Sequence, residues 1–124
     1  MGLILLAEDA SFSRTMLRRA LEKEGHEVIE ATNGKHCLEM LENHEPDCLF
    51  LDLLMPEMNG YEVLEALQNQ GIRLPVVVVT ADIQDTSRER CLNLGAIAVL
   101  NKPPKPQELQ IILQHIQLIN GGDS

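Results

Sequence analysis

The chain has 124 residues, 44% of them hydrophobic, and its 10 basic and 19 acidic side chains give a formal charge of −9. A chain of this size makes one domain that buries a continuous core without disulfide or metal staples, and its hydrophobic content excludes disorder. No basic surplus is present to neutralise phosphates, so direct nucleic-acid binding and attachment to an anionic membrane are excluded as main functions.

Cys37, Cys48 and Cys91 have no C-x-x-C spacing and read as small apolar packing residues in a reducing compartment. The stretch from Met1 to Asp9 meets acid too early for a signal peptide, and no apolar run approaches bilayer-spanning length. A cytoplasmic protein is expected.

Short apolar runs alternate with amphipathic segments. Leu3–Ala7 reads as a buried strand ended abruptly by Glu8-Asp9. Ser11 or Ser13 is expected to cap a helix whose core face carries Phe12, Met16 and Ala20 with Leu17 and Leu21, and Gly25 stops it. Val28–Ala31 is a less apolar strand, expected near a sheet edge. Asn33-Gly34 reads as a turn, and Cys37, Leu38 and Leu41 give a helix ending near Asn43.

Cys48-Leu49-Phe50-Leu51 is the next strand, buried on both faces, and it runs straight into Asp52. Glu57-Met58-Asn59-Gly60 reads as a turn, followed by a helical face of Val63, Leu64 and Leu67 that ends at Gly71. Pro75–Thr80 is the most β-branched run and is expected as a central strand. A charged helix from Asp85 to Leu94 is closed by Gly95, and Ala96–Leu100 is the fifth strand, ended by Asn101-Lys102-Pro103. Pro106 opens a last helix with Leu109, Ile112, Leu113 and Ile116 on its core face. Five alternations predict a doubly wound α/β fold: a five-stranded parallel sheet, order 2-1-3-4-5, inside a flavodoxin-like three-layer α/β/α sandwich. The expected domain covers residues 1–119, with 120–124 as a C-terminal tail.

The polar residues at the strand ends carry the chemistry. The first strand delivers Glu8 and Asp9, the third Asp52, the fourth Thr80 and the fifth Lys102. In a parallel sheet these ends share one edge, where open α/β sheets bind their ligands. Three carboxylates held close repel, and one would raise its pKa unless a cation intervened. Oxygen ligands with few dedicated protein contacts suit Mg²⁺. Thr80 and Lys102 supply donors for phosphoryl oxygens, and an Asp52 oxygen could attack phosphorus to give an aspartyl phosphate.

The constellation of Glu8-Asp9, Asp52 with Met55-Pro56 and Gly60, Thr80-Ala81 and Lys102-Pro103 resembles the receiver domain of two-component response regulators, chemotaxis-type in overall size. The resemblance covers essentially the whole chain. It implies a signalling phosphoacceptor, not an enzyme in its own right, which assists its own phosphorylation and autodephosphorylation. Asp52 would take phosphate from a histidine kinase, a phosphotransfer protein or a small phosphodonor. Mg²⁺ would sit on Asp9, Asp52 and the Leu54 carbonyl, with Glu8 acting through bound water. Thr80 and Lys102 would contact the phosphoryl group, the small Ala81 would leave room for it, and a cis Lys102-Pro103 bond would aim the lysine. Pro56, Gly60 and Pro103 take structural roles. The output would be contact with a downstream effector protein or domain, or self-association.

The chain departs from that pattern at Val99, where the family usually carries the aromatic partner of Thr80 in its switch; a small or differently routed conformational change is expected. Leu54 and Asp82, two positions after Asp52 and Thr80, stand where the family controls access of water; Leu54 should not orient an attacking water, whereas Asp82 could. The Lys102–Pro106 run, with three prolines, should stiffen the entry to the last helix. On that helix Ile111 and Leu118, flanked by His115, form a second apolar stripe, a candidate partner surface. His26, His36, His44 and His115 have no ligand spacing. Two competing functions stand beside this reading: a phosphorylation-independent pseudo-receiver, favoured by Val99, and an aspartyl-nucleophile phosphohydrolase, disfavoured because Leu54 stands where such enzymes place a second acid.

Overall fold

The computed structural model describes residues 2–81 and 84–120. Ten elements alternate: β1 Leu3–Ala7, α1 Ser11–Lys23, β2 Glu27–Ala31, α2 Gly34–Asn43, β3 Cys48–Leu51, α3 Gly60–Asn69, β4 Val76–Thr80, α4 Asp85–Asn93, β5 Ala98–Asn101 and α5 Pro106–Ile119. All four strand pairings are parallel, and the order is β2-β1-β3-β4-β5.

Alternation along the strands divides the core in two, because successive side chains point to opposite faces. Leu5, Ala7, Leu49, Leu51, Val76, Val78 and Val99 pack with Cys37 of α2, Val63, Leu64 and Leu67 of α3, and Cys91 of α4. Ile4, Leu6, Cys48, Phe50, Val77 and Val79 pack with Leu17 and Leu21 of α1 and with Leu109, Ile112, Leu113 and Ile116 of α5. Both faces are therefore covered, which is why the inner strands read as unbroken apolar runs. The three cysteines are buried free thiols. Burial pushes Cys37 and Cys48 up to about 12, which makes them inert packing groups.

Several local expectations change. Neither Ser11 nor Ser13 caps α1: its N-cap is Ala10, with no side-chain cap bond. Phe12 and Met16 lie off the core, Phe12 at 78% exposure. At about 100° per residue Phe12 stands across the helix from the side on which Leu17 and Leu21 are buried, and the 12-16-20 row winds toward that side, so that only Ala20 packs against the core. Asn33-Gly34 is a helix start, since Asn33 caps α2 by accepting from the His36 N–H at 2.7 Å. The fifth strand begins at Ala98, two residues late, because Ala96 N–H bonds back to the Cys91 carbonyl to close α4. Asp82 lies outside the described residues.

The segment after Asp52 turns sharply. Met58 N–H donates to the Pro56 carbonyl at 2.7 Å, and the enclosed Glu57 takes φ +66°. Asn59 and Glu62 then form a reciprocal capping box for α3. Gly60 sits directly under the Asp52 backbone: a Cβ there would lie 2.5 Å from the Asp52 carbonyl oxygen and 2.8 Å from Leu53 Cα. Gly60→Ala is expected to destabilise the fold by about 1–3 kcal/mol, because backbone and not a flexible side chain must give way. Urea denaturation measures it, and an unchanged midpoint would show that α3 shifts freely.

Candidate functional site

The site residues stand at the carboxyl ends of four strands, and three of them are pinned by backbone bonds that continue the sheet. Glu8 N–H donates to the Ala31 carbonyl, Asp52 N–H to Ala7, and Lys102 N–H to Thr80, each at 3.0 Å. Strand pairing thus sets the position of each side chain that comes after it.

Glu8 and Asp52 point inward, with only 2% and 7% of their surfaces exposed, and Thr80 is buried at the end of β4; Asp9 is exposed. Lys102 lies between the two buried acids, with Nζ 2.5 Å from Glu8 Oε1 and 3.5 Å from Asp52 Oδ2. The second oxygen of each acid takes a backbone donor: Ala10 N–H to Glu8 Oε2 at 3.1 Å, and Leu53 N–H to Asp52 Oδ1 at 2.9 Å. Among the described residues, each buried carboxylate therefore has one neutral backbone donor and a share of one ammonium. The Lys102-Pro103 bond is cis.

One positive charge does not balance the acids. Burial and the neighbouring Glu8 carboxylate push Asp52 up to about 6, against the pull of Lys102 and the Leu53 N–H. Burial opposes the charge on Lys102, but its bonds to Glu8 and Asp52 outweigh this and hold its pKa above the ordinary value. An oxygen from each of Glu8, Asp9 and Asp52 lies within 4.8 Å of the others, the one such group among the described residues. An all-oxygen donor set, partly open to water and short of positive charge, fits Mg²⁺.

Of the residues expected at the site, the structure brings Glu8, Asp9, Asp52 and Lys102 together. The Leu54 side chain is turned to solvent, exposed Ala81 follows Thr80, and Val99 is packed in the core below. The histidines contribute nothing here, and Ile111 and Leu118 on α5 are 68% and 77% exposed, away from the sheet. Two arginines were not singled out from sequence. Arg14 Nη1 donates to the carbonyls of Glu8 and Asp9 at 3.0 and 3.2 Å, and Arg88 Nη1 donates to the Val99 carbonyl at 3.2 Å. An arginine five and six residues past an acid pair, on the next helix, is the signal for the first; no short-range pattern marks the second. An apolar groove of about 450 Å³ runs from Phe12 and Met16 to Lys102, Pro103 and Pro104.

A parallel sheet of this order with an acidic, lysine-bearing carboxyl edge is the architecture of a signalling phosphoacceptor domain. Residues 4–114 match the family model of the response regulator receiver domain, and the chain belongs to that family. It is 33% identical over 106 residues to the alkaline phosphatase synthesis transcriptional regulatory protein PhoP of Bacillus subtilis, covering 86% of this chain and 44% of that protein. The chain spans about half the length of the curated relatives it matches. Its fold superposes with TM-score 0.90 on the Francisella response regulator 1452 receiver domain, at 24% identity over 97% of this chain and 99% of that one. The receiver domain of sensor histidine kinase PA1611 from Pseudomonas aeruginosa, with a magnesium ion coordinated in its active site cleft, gives TM-score 0.83 at 31% identity over 92% and 95% of the two chains. No described helix is long and apolar enough to cross a membrane.

Proposed function

We propose that this receiver domain accepts a phosphoryl group on Asp52 and signals by changed protein contacts. The observation that carries the reading is the convergence of Asp52, the cation-binding acids and Lys102 within one buried cluster. Asp9, Asp52 and the Leu54 carbonyl would hold Mg²⁺, with Glu8 acting through water; the ion would offset the charge on the transferred group. An Asp52 oxygen attacks phosphorus in line, the donor's leaving group departs with its electron pair, and the acyl phosphate forms. Lys102, released from Glu8 as the site recharges, and the Thr80 hydroxyl bind the phosphoryl oxygens, while Ala81 leaves them room.

The donor would be a histidine kinase, a phosphotransfer protein or a small phosphodonor, and the apolar groove beside Lys102 is where a protein donor would rest. The exposed Ile111–Leu118 stripe, with His115, is the surface we assign to a downstream effector or a second copy. Valine at position 99 favours one second reading, a binding module indifferent to phosphorylation. Both meet in one experiment: Mg²⁺ and acetyl phosphate are added, and intact mass is compared with that of Asp52→Asn. The expected result is one phosphoryl group on the unmodified protein and none on the variant, with little change in amide exchange around Val99. Metal binding without labelling would leave the binding module as the function.

A further inference from the structure

We infer that Arg14 is a positioning residue for the cation site, an inference that rests on the Mg²⁺ reading above. One guanidinium nitrogen, Nη1, takes the carbonyl oxygens of two successive residues, Glu8 at 3.0 Å and Asp9 at 3.2 Å. Successive carbonyls in an extended strand point to opposite sides, so both reach one nitrogen only where the chain bends. That bend separates the two acids: Glu8 turns inward to Lys102, Asp9 turns outward, and their carboxylates still converge with that of Asp52.

The charge on Arg14 is met from the other side. Its Nε lies 3.7 Å from Glu30 Oε1 on β2, and Arg18 Nη1 lies 3.3 Å from Glu30 Oε2. Glu30 precedes Ala31, whose carbonyl holds the Glu8 N–H. The acid pair is therefore fixed by its backbone from two directions, by the end of β2 and by α1. Arg14 is largely buried, with 18% of its side chain exposed, and it bonds to backbone oxygens of the acid pair while Glu30 offsets its charge. Groups that orient metal ligands without touching the ion commonly govern affinity by about 10–100-fold.

The two roles open to this arginine predict opposite signs. Removing a cation beside a cation site tightens Mg²⁺ binding if charge alone matters. Loss of a positioning clamp weakens it. Calorimetric titration of MgCl₂ into the wild-type chain, Arg14→Ala, Arg14→Lys and the same-helix charge control Arg19→Ala decides between them. We expect Arg14→Ala to weaken Mg²⁺ binding by about tenfold, with Arg14→Lys between it and wild type and Arg19→Ala unchanged or slightly tighter. In acetyl phosphate labelling the half-saturating Mg²⁺ concentration should rise while the rate at saturating Mg²⁺ is kept. Thermal melts confirm folding, and if Arg14→Ala does not fold, Arg14→Lys carries the test. Equal or tighter binding by the folded Arg14 variants overturns the positioning role alone. Wild-type binding that survives Asp9→Asn and Asp52→Asn, or no wild-type binding, overturns the Mg²⁺ reading together with it.

Discussion

Asp52→Asn is expected to make the metal-free protein more stable at neutral pH, by about 1–3 kcal/mol. The folded state lifts the Asp52 pKa from 3.8 to about 6, first by burial and then by the Glu8 carboxylate. An acid whose folded pKa is raised binds its proton more tightly in the folded than in the unfolded chain. Stability contributed at this position is therefore present below about pH 4 and is lost as pH rises to about 6. Above that the penalty is complete. Asparagine keeps the size and the acceptor for the Leu53 N–H but has no charge to desolvate. Part of the gain is offset because Lys102 loses one of its two anionic partners. Urea denaturation across pH reads the difference: it should be largest near neutrality and close to zero under about pH 4. Mg²⁺ should reverse the order by stabilising wild type through mass action and leaving the variant little changed. A variant less stable than wild type at pH 7 without Mg²⁺ would mean that the Asp52–Lys102 pair outweighs desolvation.

Much of this was legible in the chain because one physical signal repeats. Strands covered on both faces must be apolar along their buried length, so Leu3–Ala7, Cys48–Leu51 and residues 76–79 stand out without any periodicity. The first polar residue that ends each run, Glu8, Asp52 or Thr80, then stands at the carboxyl edge of the sheet and is a candidate site residue. What the chain did not reveal is set by longer-range geometry. Glu8 and Asp9 are adjacent acids of equal standing in sequence, yet the bend at the end of β1 buries one and exposes the other. Phe12 and Met16 look like core residues on an apolar row, but the core takes only the side of α1 that carries Leu17 and Leu21. The Arg88 contact with Val99 depends on β5 ending the sheet. Lys102 N–H faces β4, so Val99, three residues earlier, turns its carbonyl to the free edge, where a side chain from α4 reaches it.

Lys102→Met should have the opposite effect to Asp52→Asn. The substitution keeps the length and packing of the stem while removing the one ammonium between Glu8 and Asp52. Two buried carboxylates then face each other, each with a single backbone donor. Breaking a buried ion pair from one side commonly destabilises by about 3–5 kcal/mol, and partial exposure of Lys102 places the expected loss near the lower figure at pH 7. The folded pKa of Asp52 should move higher still, because the ammonium was the group pulling it down. The loss should accordingly shrink as pH falls toward about 4 and Asp52 takes up its proton. Mg²⁺ bound at the proposed site would supply the same missing charge, so saturating Mg²⁺ should stabilise Lys102→Met more than it stabilises wild type. On the proposed mechanism, labelling by acetyl phosphate should stay slow even then, since the ion would replace the charge of Lys102 and not the hydrogen bonds that Lys102 would make to the phosphoryl oxygens. Thermal melts with and without Mg²⁺, read beside labelling rates, separate these two roles. If Mg²⁺ stabilised both proteins equally, Lys102 would not be the counter-charge of the metal-free site.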